Sequence, residues 1–277
     1  DTGQESNRPT EIKITLWQKI GNGEWESTGK SVTMIKSNDG TGKFYVSGTS
    51  SGSYTWTSWP KKAENGDTIV YKVVEDYVRG YTASYSNSNG VNNNDTITVT
   101  NTSNFITVYG SKQWQGDNGN EANRPASIKF RLLQSTTPDI EESWGTAEGT
   151  ADVELSKRAN NTYPQANWTN LPSKDKDGNT IYYKVKEVDT ISDYTVSYSS
   201  PISNTGTFYV TNTWNNMNLS VNKAWDSSVK NDDRPESLEF KLQRKIGEDG
   251  VWTDAGYPNV TVTAADGWTL SNAWTAL

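Results

Sequence analysis

Apolar residues in this chain recur at every second position over short stretches, and no convincing stretch repeats at helical spacing. Ile12, Ile14 and Leu16 alternate with polar neighbours, as do Ile128, Phe130 and Leu132, and then Leu238, Phe240 and Leu242. A period of two is the mark of a strand that buries one face, because successive side chains point to opposite sides. Gly, Asn, Asp and Pro bound each run, as turns require. The pattern predicts an all-β chain of short strands.

The alternating runs belong to a longer repeat. Arg-Pro occurs at Arg8-Pro9, Arg124-Pro125 and Arg234-Pro235, steps of 116 and 110, each shortly before one of the runs. A tryptophan follows at Trp25, Trp144 and Trp252, and another at Trp56, Trp168 and Trp274. The first two units continue through NGDTIVYKVVED (65–76) and DGNTIYYKVKEV (177–188) and close on Thr-Asn-Thr at 100–102 and 211–213. Repeats of about 110 residues with some seven short strands suit two packed sheets. The expected domains are 1–102, 103–213 and 214–277. Aligning the repeats leaves the first without its opening strand and the third with only its N-terminal part, so the middle unit alone is complete, and the chain reads as a fragment of a longer array.

Composition narrows the chemistry. The 277 residues contain no Cys and no His, which removes thiol nucleophiles, Ser-His-Asp triads, disulfides and imidazole or thiolate zinc sites. Twenty-six basic against 33 acidic residues leave a net charge of −7, unsuited to binding nucleic acid through a broad basic surface. No stretch approaches a membrane span. The acidic turns Gln115–Asn118, Asp226 and Asp232-Asp233 lack the spacing of a calcium loop and read as solvated turns, so neither metal nor cofactor is expected. The recurring Trp56, Trp168 and Trp274 read as core residues.

Three polar residues point the wrong way. Ile106, Val108, Gly110, Lys112 and Trp114 share one strand face, which turns Lys112 towards the core; Leu219, Val221, Lys223 and Trp225 repeat that register. Ile181, Tyr183, Val185 and Glu187 share another face, matched by Ile69, Tyr71, Val73 and Glu75. Phe208, Val210, Asn212 and Trp214 share a third, matched by Ile97, Val99 and Asn101. A lysine, a glutamate and an asparagine buried in so small a core must satisfy one another or cost several kcal/mol. One arrangement is a buried ion pair with asparagine as a bystander, or polar side chains reaching water at frayed strand ends. The other is reactive: burial favours the neutral amine and the neutral acid, the acid polarises the carboxamide, the amine attacks it, and ammonia leaves behind an amide cross-link.

The ordered set GSKQW, NRP, NWTNLP, DGNTIYYKVKEV and VTNT in the second repeat, with NRP to VTNT in the first and NKAWD, NDDRPE and AADGW in the third, resembles the Cna B-type domains of Gram-positive collagen adhesins and pilins. The resemblance implies tandem immunoglobulin-like β-sandwiches of the transthyretin (prealbumin) type. It also implies an isopeptide bond between Lys112 and Asn212 assisted by Glu187. The first repeat supplies Glu75 and Asn101 without a matching lysine, since Lys13 lies on the outward face. The third supplies Lys223 without partners.

The function implied is that of a stalk: a monomeric, non-enzymatic spacer of an extracellular, wall-anchored adhesin or pilin. Regions outside the fragment would meet a host extracellular-matrix or cell-surface ligand. The alternative is a ligand-binding adhesin or carbohydrate-binding module, for which the tryptophans would form the platform.

Overall fold

The computed structural model describes residues 5–117, 121–275 and 277, and the chain is all-β apart from 3-10 turns. Its contacts divide into two units, residues 1–113 with 124–190 and 198–210, and residues 114–123 with 191–197 and 211–277.

In the first repeat β1 (Glu11–Ile20) pairs antiparallel with β2 (Glu26–Lys36) on one side and β4 (Ile69–Glu75) on the other, and β3 (Phe44–Val46) extends the sheet beyond β2. The inward positions of the alternating pattern supply buried Leu16, Val32 and Val73. β5 (Tyr81–Tyr85) and β6 (Val99–Ser103) form a separate two-stranded sheet.

The second repeat has a fuller version of the same plan. β7 (Phe105–Gln115) leads to β8 (Ser127–Ser135), which pairs with the short β9 (Gly145–Thr146), with β10 (Val153–Ser156) and, after β11 (Ala166–Pro172), with β12 (Tyr182–Glu187). β13 (Tyr194–Tyr198) and β14 (Gly206–Trp214) complete a second sheet in the order β11-β7-β14-β13. The two sheets face each other: a Cβ added to Gly110 of β7 would lie 3.2 Å from the ring of Phe130 on β8. Val108, Phe130, Leu132, Tyr183, Phe208 and Val210 are fully shielded between the sheets, as burial of the period-two faces requires.

The two repeats meet through a short connection. Tyr81 and Phe105 pack edge to face at 5.6 Å, Arg79 donates to the carbonyls of Asn170 and Glu148 at 3.3 and 3.4 Å, and the Tyr77 hydroxyl donates to the Lys174 carbonyl at 3.3 Å. Gly80 adopts φ +80° beneath Phe105, where a Cβ would come within 2.0 Å of the ring.

The third repeat contributes three two-stranded pairings: β15 (Leu219–Asn222) with β20 (Thr269–Trp274), β16 (Ser237–Phe240) with β19 (Val260–Thr263), and β17 (Gln243–Arg244) with β18 (Thr253–Asp254). Val262, Trp268 and Trp274 form its buried centre, with Trp225 edge-on to Trp268 at 5.1 Å.

The recurring tryptophans divide. Trp168 and Trp274 are buried, as core residues should be. Trp56 is only half-buried. The acidic turn after β7 differs from its expected solvation: Asp117 is 1% exposed and accepts a hydrogen bond from the Tyr194 hydroxyl at 2.9 Å, so this carboxylate is structural. Asn118 of the same turn lies outside the described residues.

Candidate functional site

Register and alternation bring the lysine and the glutamate of the second repeat together. β12 pairs with β8 so that Glu187 stands opposite Phe130, and the period set by Tyr183 and Val185 turns Glu187 to the inner face. On the opposing sheet Val108, Gly110 and Lys112 point inward, and Gly110 leaves the Phe130 ring room. Lys112 Nζ lies 3.0 Å from Glu187 Oε1, with the two side chains 0% and 3% exposed.

Burial dominates the electrostatics of this pair. Loss of hydration pushes the Lys112 ammonium down from its ordinary 10.5 to about 8, and the charge and hydrogen bond of Glu187 offset only part of that fall. About a tenth of a lysine so placed is a neutral amine at pH 7.

Asn212 lies on β14, the strand next to β7 in the sheet order, and is 1% exposed. Its Oδ1 makes no hydrogen bond among the described residues, a costly state for a buried carboxamide oxygen.

The first repeat holds the other half of the arrangement. β4 pairs with β1 so that Glu75 stands opposite Ile14, the register that Glu187 and Phe130 repeat. Asn101 on β6 donates from Nδ2 to Glu75 Oε1 at 2.9 Å, while its own Oδ1 is buried without a hydrogen bond among the described residues. Burial raises the Glu75 carboxyl above the usual carboxylate range, opposed by the Asn101 hydrogen bond. Lys13 is exposed on the far face of β1 and takes no part.

In the third repeat β15 ends at Asn222, one residue short of Lys223. The Lys223 ammonium donates to the Ala224 carbonyl and lies 4.3 Å over the Trp225 ring, and among the described residues no acid is paired with it. The structure thus unites Lys112 with Glu187 and Glu75 with Asn101, and leaves Lys223 on an aromatic ring.

Two structural roles escape sequence reasoning. Asp117 and Tyr194 are 77 positions apart, and Arg79 reaches 91 positions to Asn170. Nothing local marks either as a long-range partner.

The profile of the Cna protein B-type domain matches residues 1–102 and 108–213. The chain belongs to the Cna B-type domain family. Over 282 aligned residues it is 27% identical to a collagen adhesin of Staphylococcus aureus, covering all of this chain and 19% of that protein. Among solved structures it is similar to a single B repeat unit (B1) of the collagen-binding surface protein of S. aureus, with 26% identity, 77% of this chain and 92% of the other covered, and a TM-score of 0.32. It also matches a major pilin (T-13) of Streptococcus pyogenes at 12% identity, covering 74% of this chain and 89% of the pilin with a TM-score of 0.29. These relatives are an adhesin, one of its B repeat units and a pilin. No helix among the described residues is long and apolar enough to cross a membrane.

Proposed function

We propose that the chain is a stretch of the extracellular stalk of a wall-anchored Gram-positive adhesin or pilin, built from modules 1–102, 103–213 and 214–277, and that the middle module locks itself with an isopeptide bond between Lys112 and Asn212. The observation that carries the reading is the division of one reactive set between two equivalent repeats: a sealed lysine–glutamate pair in one and a glutamate–asparagine hydrogen bond in the other. Glu187 and Glu75 are equivalent in sequence, so the two half-sites between them supply an amine, an acid and a carboxamide.

In the proposed chemistry the neutral Lys112 amine attacks Cγ of Asn212. Glu187, protonated by the lysine, donates to Oδ1 and disperses the charge that builds there. The Nζ–Cγ bond forms, Glu187 passes its proton to Nδ2 and takes the surplus proton from Nζ, the Cγ–Nδ2 bond breaks, and ammonia leaves. The fixed geometry of the folded core supplies the proximity. The event happens once per molecule, so the module is not an enzyme in the sense of turnover.

A bond at these positions closes a loop of about 100 residues and stabilises the module by roughly 4–5 kcal/mol, on the analogy of a disulfide across a loop of that length. It resists reduction, and it joins the first and last strands, through which tension along a string of modules enters and leaves. Any matrix ligand is met by other regions of the parent protein. Intact mass of the purified chain tests the reading: a deficit of one ammonia, absent in Glu187→Ala, is expected, and an unaltered mass refutes it.

A further inference from the structure

The strand that carries the inward glutamate lies at a sheet edge in both repeats. β4 ends the order β3-β2-β1-β4, and β12 ends the order β10-β8-β12. Along such a strand, successive backbone N–H groups point alternately to the inner neighbour and to the open side. Asp76 and Val188 donate to the Lys13 and Lys129 carbonyls of the inner neighbours, at 2.9 Å each, so the N–H groups of Glu75 and Glu187 are turned to the open side. Among the described residues that side is bridged at Tyr71 by Val91 and at Tyr183 by Ile202, upstream of each glutamate. A donor at the rim of a dry core needs a partner.

A tyrosine from the other sheet supplies it. Tyr85 Oη accepts from the Glu75 N–H at 3.0 Å. Tyr85 is on β5, which pairs with β6 in the register Ala83 to Asn101 and Tyr85 to Val99, so the tyrosine and the asparagine share one face. Glu75 is thus held twice, at its backbone by Tyr85 and at Oε1 by Asn101 Nδ2, 2.9 Å away. Tyr81-Thr82 aligns with Tyr194-Thr195, which makes Tyr198 the counterpart of Tyr85. Burial raises the Tyr198 hydroxyl above its ordinary range, the Glu187 backbone N–H opposes the rise, and the Glu187 carboxylate adds to it, so this hydroxyl also faces the glutamate. Tyr163 feels the Glu187 charge as well, but its hydroxyl donates to the Pro125 carbonyl at 2.5 Å.

We infer that Tyr198 is a positioning residue for the cross-linking reaction, with Tyr85 as its counterpart in the repeat that lacks the lysine: its hydroxyl takes the Glu187 N–H and fixes where the carboxyl stands. The inference rests on the chemistry proposed for Lys112 and Asn212. The hydroxyl touches no reacting atom. It ties the end of an edge strand to the opposite sheet, and proton transfer at hydrogen-bond range tolerates little drift of that end. A phenylalanine would fill the same space without the tie.

The test compares Tyr198→Phe with the unaltered whole chain after a short pulse of cell-free synthesis, timing ammonia loss by intact mass at a series of pH values. Loss should slow by about 10- to 100-fold in the variant. The midpoint of its pH–rate profile should also fall below about 8, because a displaced Glu187 no longer helps Lys112 to keep its proton. A tyrosine with only a structural role would lower the folded fraction and leave the midpoint in place. An unchanged rate or an unchanged midpoint overturns the inference. Tyr85→Phe gives a second reading that needs no covalent step. The Asn101 side-chain amide protons should exchange with solvent roughly tenfold faster in nitrogen-15 NMR spectra of the whole chain, and unchanged exchange overturns the inference. If the unaltered chain loses no ammonia, the stalk chemistry fails, and Asn101 exchange alone decides whether the tyrosine positions the acid.

Discussion

Lys112 Nζ stands 3.0 Å from Glu187 Oε1 at the centre of the second repeat, and neither side chain has meaningful access to water. An ion pair so placed gives up hydration that mutual attraction barely restores, so it adds little net stability. Removing only the acid strands the amine. Glu187→Ala should therefore lower the unfolding free energy by roughly 3–5 kcal/mol beyond the loss of any cross-link. The double variant Lys112→Met, Glu187→Leu should recover much of that part, because it leaves no buried charge. Urea denaturation of the single and double variants, compared with Asn212→Ala, separates the two contributions.

The lowered lysine makes a signed prediction about pH. In Asn212→Ala, which keeps a free amine, Lys112 titrates near 8 in the folded chain and near 10.5 when unfolded. Below the folded value both states hold the proton and the burial penalty is complete. Between the two values the unfolded chain binds more protons, so stability rises with pH, by roughly 3 kcal/mol in all. The cross-linked chain has no such amine and should lack the rise. Bond formation during refolding should accelerate as pH increases towards about 8, where the neutral amine becomes abundant. Chemical denaturation across this range and the time course of ammonia loss check both.

Much of this site was legible from alternation alone. Once Ile181, Tyr183 and Val185 are assigned to an inner face, Glu187 follows, and the same reasoning turns Lys112 and Asn212 inward. Alternation fails where a strand stops: β15 ends at Asn222, so the face of Lys223 was no longer governed by the pleat and the side chain folded back onto Trp225. It also cannot register a bond between distant segments. Asp117 reads as a solvated turn residue until Tyr194 arrives from 77 positions away.

That hydrogen bond yields a further prediction. Tyr194→Phe keeps the edge-to-face packing on Trp114 and Trp214, at 4.7 and 4.8 Å, and removes one donor to the buried Asp117 carboxylate. The expected loss is about 1–3 kcal/mol, read by thermal or urea unfolding.

The connection between the first two repeats is held by packing under a left-handed glycine. Gly80→Ala puts a methyl group in the space of the Phe105 ring and places a Cβ at φ +80°, so a loss of roughly 2–4 kcal/mol is expected. Arg79→Ala, which removes two exposed hydrogen bonds to the neighbouring repeat, should change stability by less than about 1 kcal/mol. It should still widen the spread of inter-repeat orientations in small-angle scattering of residues 1–213. A spacer needs this second property more than the first.

Fragment mass spectrometry of a protease digest of the denatured chain tests the central claim most directly. The account predicts one branched peptide in which Lys112 and Asn212 are joined through an amide. Recovery of the two segments as separate, unmodified peptides would contradict it.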